Sequence, residues 1–123
     1  MNIIKSIQEI FHSKSFTKAA LQLTSLIEVA KRNENNSAYI IELNQSNITA
    51  NFTIPNDVFE IYIELKIDNT IITRWDDFYG NSKESDYIKK LSQIKDLIDN
   101  KTKISIRNNE VYLHNNTIEE LWF

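Results

Sequence analysis

The chain has no cysteine and only one glycine and one proline in 123 residues. Without cysteine no disulfide or thiolate metal site can form, so packing alone must hold the fold together. One glycine cannot supply the glycine-rich loops of P-loop and dinucleotide sites, nor the strained Gly-x-Ser-x-Gly elbow of many hydrolases. The two histidines, His12 and His114, stand apart, outside any His-x-x-x-His, His-Glu-x-x-His or EF-hand pattern. They read as structural or surface residues, and no metal or cofactor is expected. No run of eighteen apolar residues occurs, and the start MNIIKSIQEIF reaches Glu9 before a secretory core could form. The expectation is therefore a cytoplasmic protein that neither crosses nor enters a membrane.

What remains describes one folded domain spanning 1–123. Hydrophobic residues make up 41% of the chain, aromatics 11% and charged residues 25%, the usage of a globular protein with a core. Asparagine and isoleucine together exceed a quarter of the residues. Asparagine tolerates the left-handed backbone region, so it can take the turn positions that glycine would otherwise fill.

Ile3, Ile4, Ile7, Ile10 and Phe11 recur at helical spacing, and Ser15 is placed to cap a second helix running to about Arg32. Its stripe is Phe16, Ala19, Ala20, Leu23, Leu26, Ile27 and Ala30. From Tyr39 the period becomes two, predicting strands over Tyr39 to Leu43, Ile48 to Ile54, Phe59 to Lys66 and Thr70 to Trp75. A helix capped by Ser82 or Ser85 follows, with Ile88, Leu91, Ile94, Leu97 and Ile98 as its buried stripe. Asn108 and Asn109 suit a tight hairpin between strands Lys103 to Arg107 and Glu110 to Leu113. Thr117 and Glu120 have the spacing of a capping box, which predicts a last helical turn. The order ααββββαββα predicts an α+β fold, an antiparallel sheet of about four to six strands with helices packed on one face.

Charge is uneven along the chain. The total is −3, and residues 57–86 carry eight acids against three bases, which disfavours nucleic acid as a partner. Strand alternation turns Glu60, Tyr62 and Glu64 outward, and Arg74, Trp75, Asp76, Asp77 and Tyr79 follow at the next strand end. Tryptophan, tyrosine and arginine anchor interfaces more than other residues. These eight residues are the expected partner-binding surface, made acidic by its carboxylates. Against that stands a structural reading in which Trp75 and Phe78 close the core and Asp76, Asp77 and Glu84 favour a helix N-terminus. Leu121, Trp122 and Phe123 are likewise either a core plug or an exposed end. No catalytic residue is expected, because Asp76 and Asp77 point apart in a strand and Glu60 and Glu64 are about 13 Å apart at strand rise, beyond glycosidase spacing.

The stretch FEIYIELKIDNTIITRWDDFYG, residues 59–80, resembles immunity proteins of bacterial polymorphic toxin and contact-dependent growth inhibition systems. The resemblance implies a cytoplasmic protein that binds one cognate toxin domain, often a basic nuclease, and blocks its site. No functional residue of that family is carried over. On this reading Trp75 and Tyr79 are the anchors, and Glu60, Glu64, Asp76 and Asp77 mimic substrate phosphates. The element order is also similar to that of type III secretion chaperones, which imply a dimer holding an unfolded effector. The additional N-terminal helix and fourth central strand depart from their plan. A small enzyme with an unrecognised site is the remaining alternative.

Overall fold

The computed structural model describes residues 2–35, 38–45, 47–55, 60–77 and 80–122. Helices α1 (Ile3–Ser13) and α2 (Thr17–Val29) lead into strands β1 (Lys31–Asn35), β2 (Ala38–Glu42), β3 (Ile48–Thr53), β4 (Tyr62–Ile67) and β5 (Thr70–Asp76). After α3 (Glu84–Ile98) come β6 (Lys103–Arg107), β7 (Glu110–His114) and β8 (Glu119–Leu121). The first five strands form an antiparallel meander in the order β1-β2-β3-β4-β5, and the last three a second antiparallel sheet, β6-β7-β8. The fold is α+β, as the periodicity predicts.

Strand alternation divides the large sheet into two unlike faces. Tyr39, Phe52, Ile63 and Trp75 align across one row, and Ile41, Ala50, Leu65 and Thr73 across the next. Apart from Trp75 and Thr73, which are half-buried, all of these are sealed. All but Thr73 share one apolar cluster with the stripes of the three helices, with Val111 and Leu113 of the second sheet and with Trp122 just after it. Aromatic edges join the layers: Phe11 of α1 and Trp75 of β5 both meet Tyr87 of α3 edge-on, at 4.9 and 5.1 Å between centroids.

Each helix begins at an acid. Glu34 of β1 accepts the Ile3 N–H of α1 at 2.5 Å. Glu84 accepts the N–H groups of Lys18 and Ala19, at 2.9 and 3.1 Å. Asp86 accepts the N–H of Lys83, which precedes α3, at 2.8 Å. A carboxylate there satisfies donors left open by the first turn and complements the positive end of the helix dipole. Two of these three acids come from distant segments, and local cap motifs do not reveal them. Ser15 and Ser82 or Ser85 are therefore not the caps; Ser15 instead lies at φ 62°, and Phe16 and Lys83 occupy the cap positions.

Two further expectations are corrected. Helix α2 ends at Val29, and the polar run Lys31–Asn35 is an edge strand held by its register with β2. All five of its side chains are exposed, so it has no alternation to read. The predicted last helical turn is strand β8. There the Asn115 side chain accepts the N–H groups of Thr117 and Ile118, folding a local turn that returns the chain beside β7. Of the seven described non-glycine residues at positive φ, five are asparagine, including the pair Asn108 and Asn109. This is the substitution for glycine that the composition suggests.

Candidate protein-binding face

The opposite face of the large sheet carries Ala38, Thr53, Tyr62 and Asp76 in one row and Ile40, Asn51, Glu64 and Arg74 in the next. A third row holds Lys31, Glu42, Thr49 and Lys66, followed by Ile71 beyond a β-bulge at Leu65/Lys66. No described helix packs on these rows: α1, α2 and α3 bury their stripes against the other side.

At the β5 edge of this face, Tyr62, Glu64, Arg74 and Asp76 occupy four adjoining positions on β4 and β5. The Arg74 guanidinium lies 4.7 Å from the centroid of the Tyr62 ring and 3.9 Å from the Glu64 carboxylate. The cation–π contact engages the guanidinium while leaving Arg74 exposed. Glu64 is only 6% exposed, and Asn51, its partner on β3, 5%. Thus Arg74 and Tyr62 are the accessible groups and Glu64 is the carboxylate beneath that positions Arg74.

The other expected surface residues lie elsewhere. Trp75 points to the helix side, edge-on to Tyr87. Asp77 is fully buried, accepting the Tyr87 hydroxyl at 2.5 Å and the Lys14 ammonium at 3.0 Å. Burial, then the hydrogen bond to Asp77, pushes the Tyr87 pKa well above the usual phenol value. Glu60 is half-buried ahead of β4, and its charge adds to that rise. Tyr79 lies outside the described residues, as does Phe78. The alternation that places residue 76 outward necessarily turns 75 and 77 inward, which is why the WDD run is not one exposed patch.

The acidic character of residues 57–86 is similarly dispersed. Glu84 and Asp86 cap helices, Asp77 is paired in the core and Glu64 lies beside Arg74. On the three rows Glu42, Glu64 and Asp76 face Lys31, Lys66 and Arg74, three acids against three bases. The face is therefore charge-balanced among the described residues, not the acidic surface that the sequence suggests.

Among the described residues no group of three or more His, Cys, Asp or Glu side chains could hold a metal. A cleft of about 540 Å³ at the β2–β3 and β4–β5 turns is lined by Glu42, Asp68 and side-chain amides, without histidine. No helix is long and apolar enough to cross a membrane among the described residues. Comparison with known proteins found no matching family model, curated protein or solved structure.

Proposed function

We propose that the protein is a non-catalytic immunity protein that binds and neutralises a cognate toxin domain through the outer face of its five-stranded sheet. The observation that carries this reading is the Tyr62–Arg74 cation–π pair, at the β5 edge of a face on which no described helix packs. Tyrosine and arginine are typical hot-spot residues, and here both are held in place before a partner arrives, which lowers the entropy cost of binding. Support also comes from the resemblance of residues 59–80 to immunity proteins.

On this reading the anchors are Tyr62 and Arg74, with Asp76 beside them, whereas Trp75 and Asp77 are turned to the core side. The balanced charge of the face favours a partner surface of mixed sign over a uniformly basic one. A secretion-chaperone role has less support, since the first sheet has five strands and the final segment is a strand. The test is to co-express the chain with the product of the adjacent reading frame, scoring rescue from toxicity and measuring affinity by calorimetry. Rescue with a tight one-to-one complex is expected, as is at least a tenfold loss of affinity for Tyr62→Ala or Arg74→Ala. A folded double variant that binds as tightly as the parent would discard the site, and absence of both rescue and binding would discard the function.

A further inference from the structure

The start of β6, the end of β7 and the turn that leads into β8 border a cleft of about 310 Å³, lined by Asn100, Lys101, Lys103, His114, Asn115 and Asn116. Every lining side chain can donate a hydrogen bond, and no carboxylate lines the cleft among the described residues. In a chain of net charge −3 this is a local excess of positive charge. Lys103 and His114 are cross-strand partners, so the pleat sends both side chains to the same face of the second sheet. Lys101 is placed by the end of α3: Asn100 takes φ 58°, and the N–H groups of Lys101 and Thr102 both return to the Asp96 carbonyl, at 2.8 and 3.3 Å. On the far side, the Asn115 Oδ1 accepts the N–H groups of Thr117 and Ile118 and the Thr117 hydroxyl. That oxygen is occupied within the turn, so the amide N–H₂ is the group Asn115 has left for the cleft.

Neighbouring negative charge is engaged elsewhere. The carboxylate of Glu119, which pairs with His114 in the ladder, is bound to Arg107 at the opposite end of β6. Asp99 is held by Lys95 at 3.0 Å. The negative end of the α3 dipole is also compensated, because the carbonyls from Lys95 to Ile98 all have donors. Those of Lys95 and Leu97 accept the N–H groups of Asp99 and Asn100, that of Asp96 accepts Lys101 and Thr102, and that of Ile98 the Asn44 amide at 2.9 Å. Lys101 and Lys103 form no ion pair among the described residues, so both charges are open to a guest.

We propose that this cleft binds a phosphate dianion, either free or as the monoester of a small molecule. The ammonium groups of Lys101 and Lys103 supply the opposing charge, and the His114 ring and the asparagine amides donate to the terminal oxygens. A phosphate monoester brings close to two negative charges and three strong acceptor oxygens, which matches two cations flanked by several donors. A carboxylate or a phosphodiester brings a single charge and leaves one of the lysines unmatched. The proposal does not depend on the docking-face reading, since none of these residues lies on the outer rows of the large sheet.

The experiment titrates the ¹⁵N-labelled protein with inorganic phosphate, phenyl phosphate, dimethyl phosphate and acetate, at fixed ionic strength and about pH 7.5, where phosphate is largely dianionic. It follows the ring signals of His114, with His12 of α1 as the internal control. A saturable shift of His114 but not His12 is expected with inorganic or phenyl phosphate, half-complete at on the order of 1 mM. Dimethyl phosphate and acetate should bind about fivefold more weakly or less. Lys101→Gln/Lys103→Gln, at two exposed positions, should weaken the response about tenfold while the spectrum keeps its dispersion. Phenyl phosphate binding at least as tightly as inorganic phosphate assigns the cleft to an ester, and weaker binding assigns it to the free ion. Absence of a saturable shift overturns the proposal, as does an equal response to acetate or to dimethyl phosphate, or an undiminished response in the lysine variant.

Discussion

Replacing Lys90 with methionine should stabilise the protein and change how its stability depends on pH. Lys90 is 3% exposed, within α3 and against the Trp122 ring. Burial, followed by the like charge of Lys89, pushes its pKa down to about 7, against the partial counterweight of Glu120 and Asp86. In the unfolded chain the group returns to about 10.4. Below pH 7 both states hold the proton and the full cost of burying the charge is present. Between the two values the unfolded chain holds a proton that the folded chain has released, so stability rises with pH, by at most about 1.4 kcal/mol per pH unit. The indole face offsets part of the burial cost, so we expect a gain of about 1–2 kcal/mol between pH 7 and 9. Lys90→Met removes the ionisable group and keeps the volume, which should add about 1–3 kcal/mol at pH 7 and flatten that rise. Guanidinium unfolding of both proteins at pH 7, 8 and 9, followed by tryptophan fluorescence, measures the difference and cancels other titrations. A variant less stable than the parent at pH 7, or with the same pH slope, would show that the Lys90 charge is not a net cost to the fold.

Glu84→Ala should cost about 1–2 kcal/mol, because it removes the acceptor for two N–H groups at the start of α2. Glu84→Gln keeps an acceptor and should cost clearly less; equal losses in chemical denaturation would deny the capping role. Lys14→Met leaves the buried Asp77 carboxylate without its cation and should cost about 3 kcal/mol or more, read from the same transitions. Tyr87 has a pKa raised above that of a free phenol, so its contribution is present below about pH 10 and is lost as pH climbs further. Tyr87→Phe should be less stable than the parent at neutral pH, yet lose less stability on going to pH 11.

The helices and the inner strand rows are legible in the sequence because burial imposes their periods. Ile3, Ile7, Ile10 and Phe11 repeat at helical spacing because one stripe of α1 is buried, and Ile63 and Leu65 of β4 continue the alternation of Ile61 just before it because the same side is buried. Segments without a buried face carry no such signal, which is why the all-exposed β1 reads as a helix end. Acids that act across long sequence distances are equally silent. Nothing near Glu84 marks it as the cap of a helix beginning at Thr17, and eight acids between 57 and 86 look like a patch until their partners are known. The site was half legible. Tyr62, Arg74 and Asp76 follow from alternation, whereas the same rule, applied through β5, sends Trp75 and Asp77 to the core side.

On the proposed function, the face bearing Tyr62 and Arg74, and not the buried aspartate beside it, meets a partner protein. The most direct measurement compares the partner affinity of Tyr62→Ala/Arg74→Ala with that of Asp77→Asn, each checked for an intact fold by its amide spectrum. At least a hundredfold weakening is expected in the first and less than threefold in the second. Parent-like affinity in the first, or an equal loss in both, would contradict it.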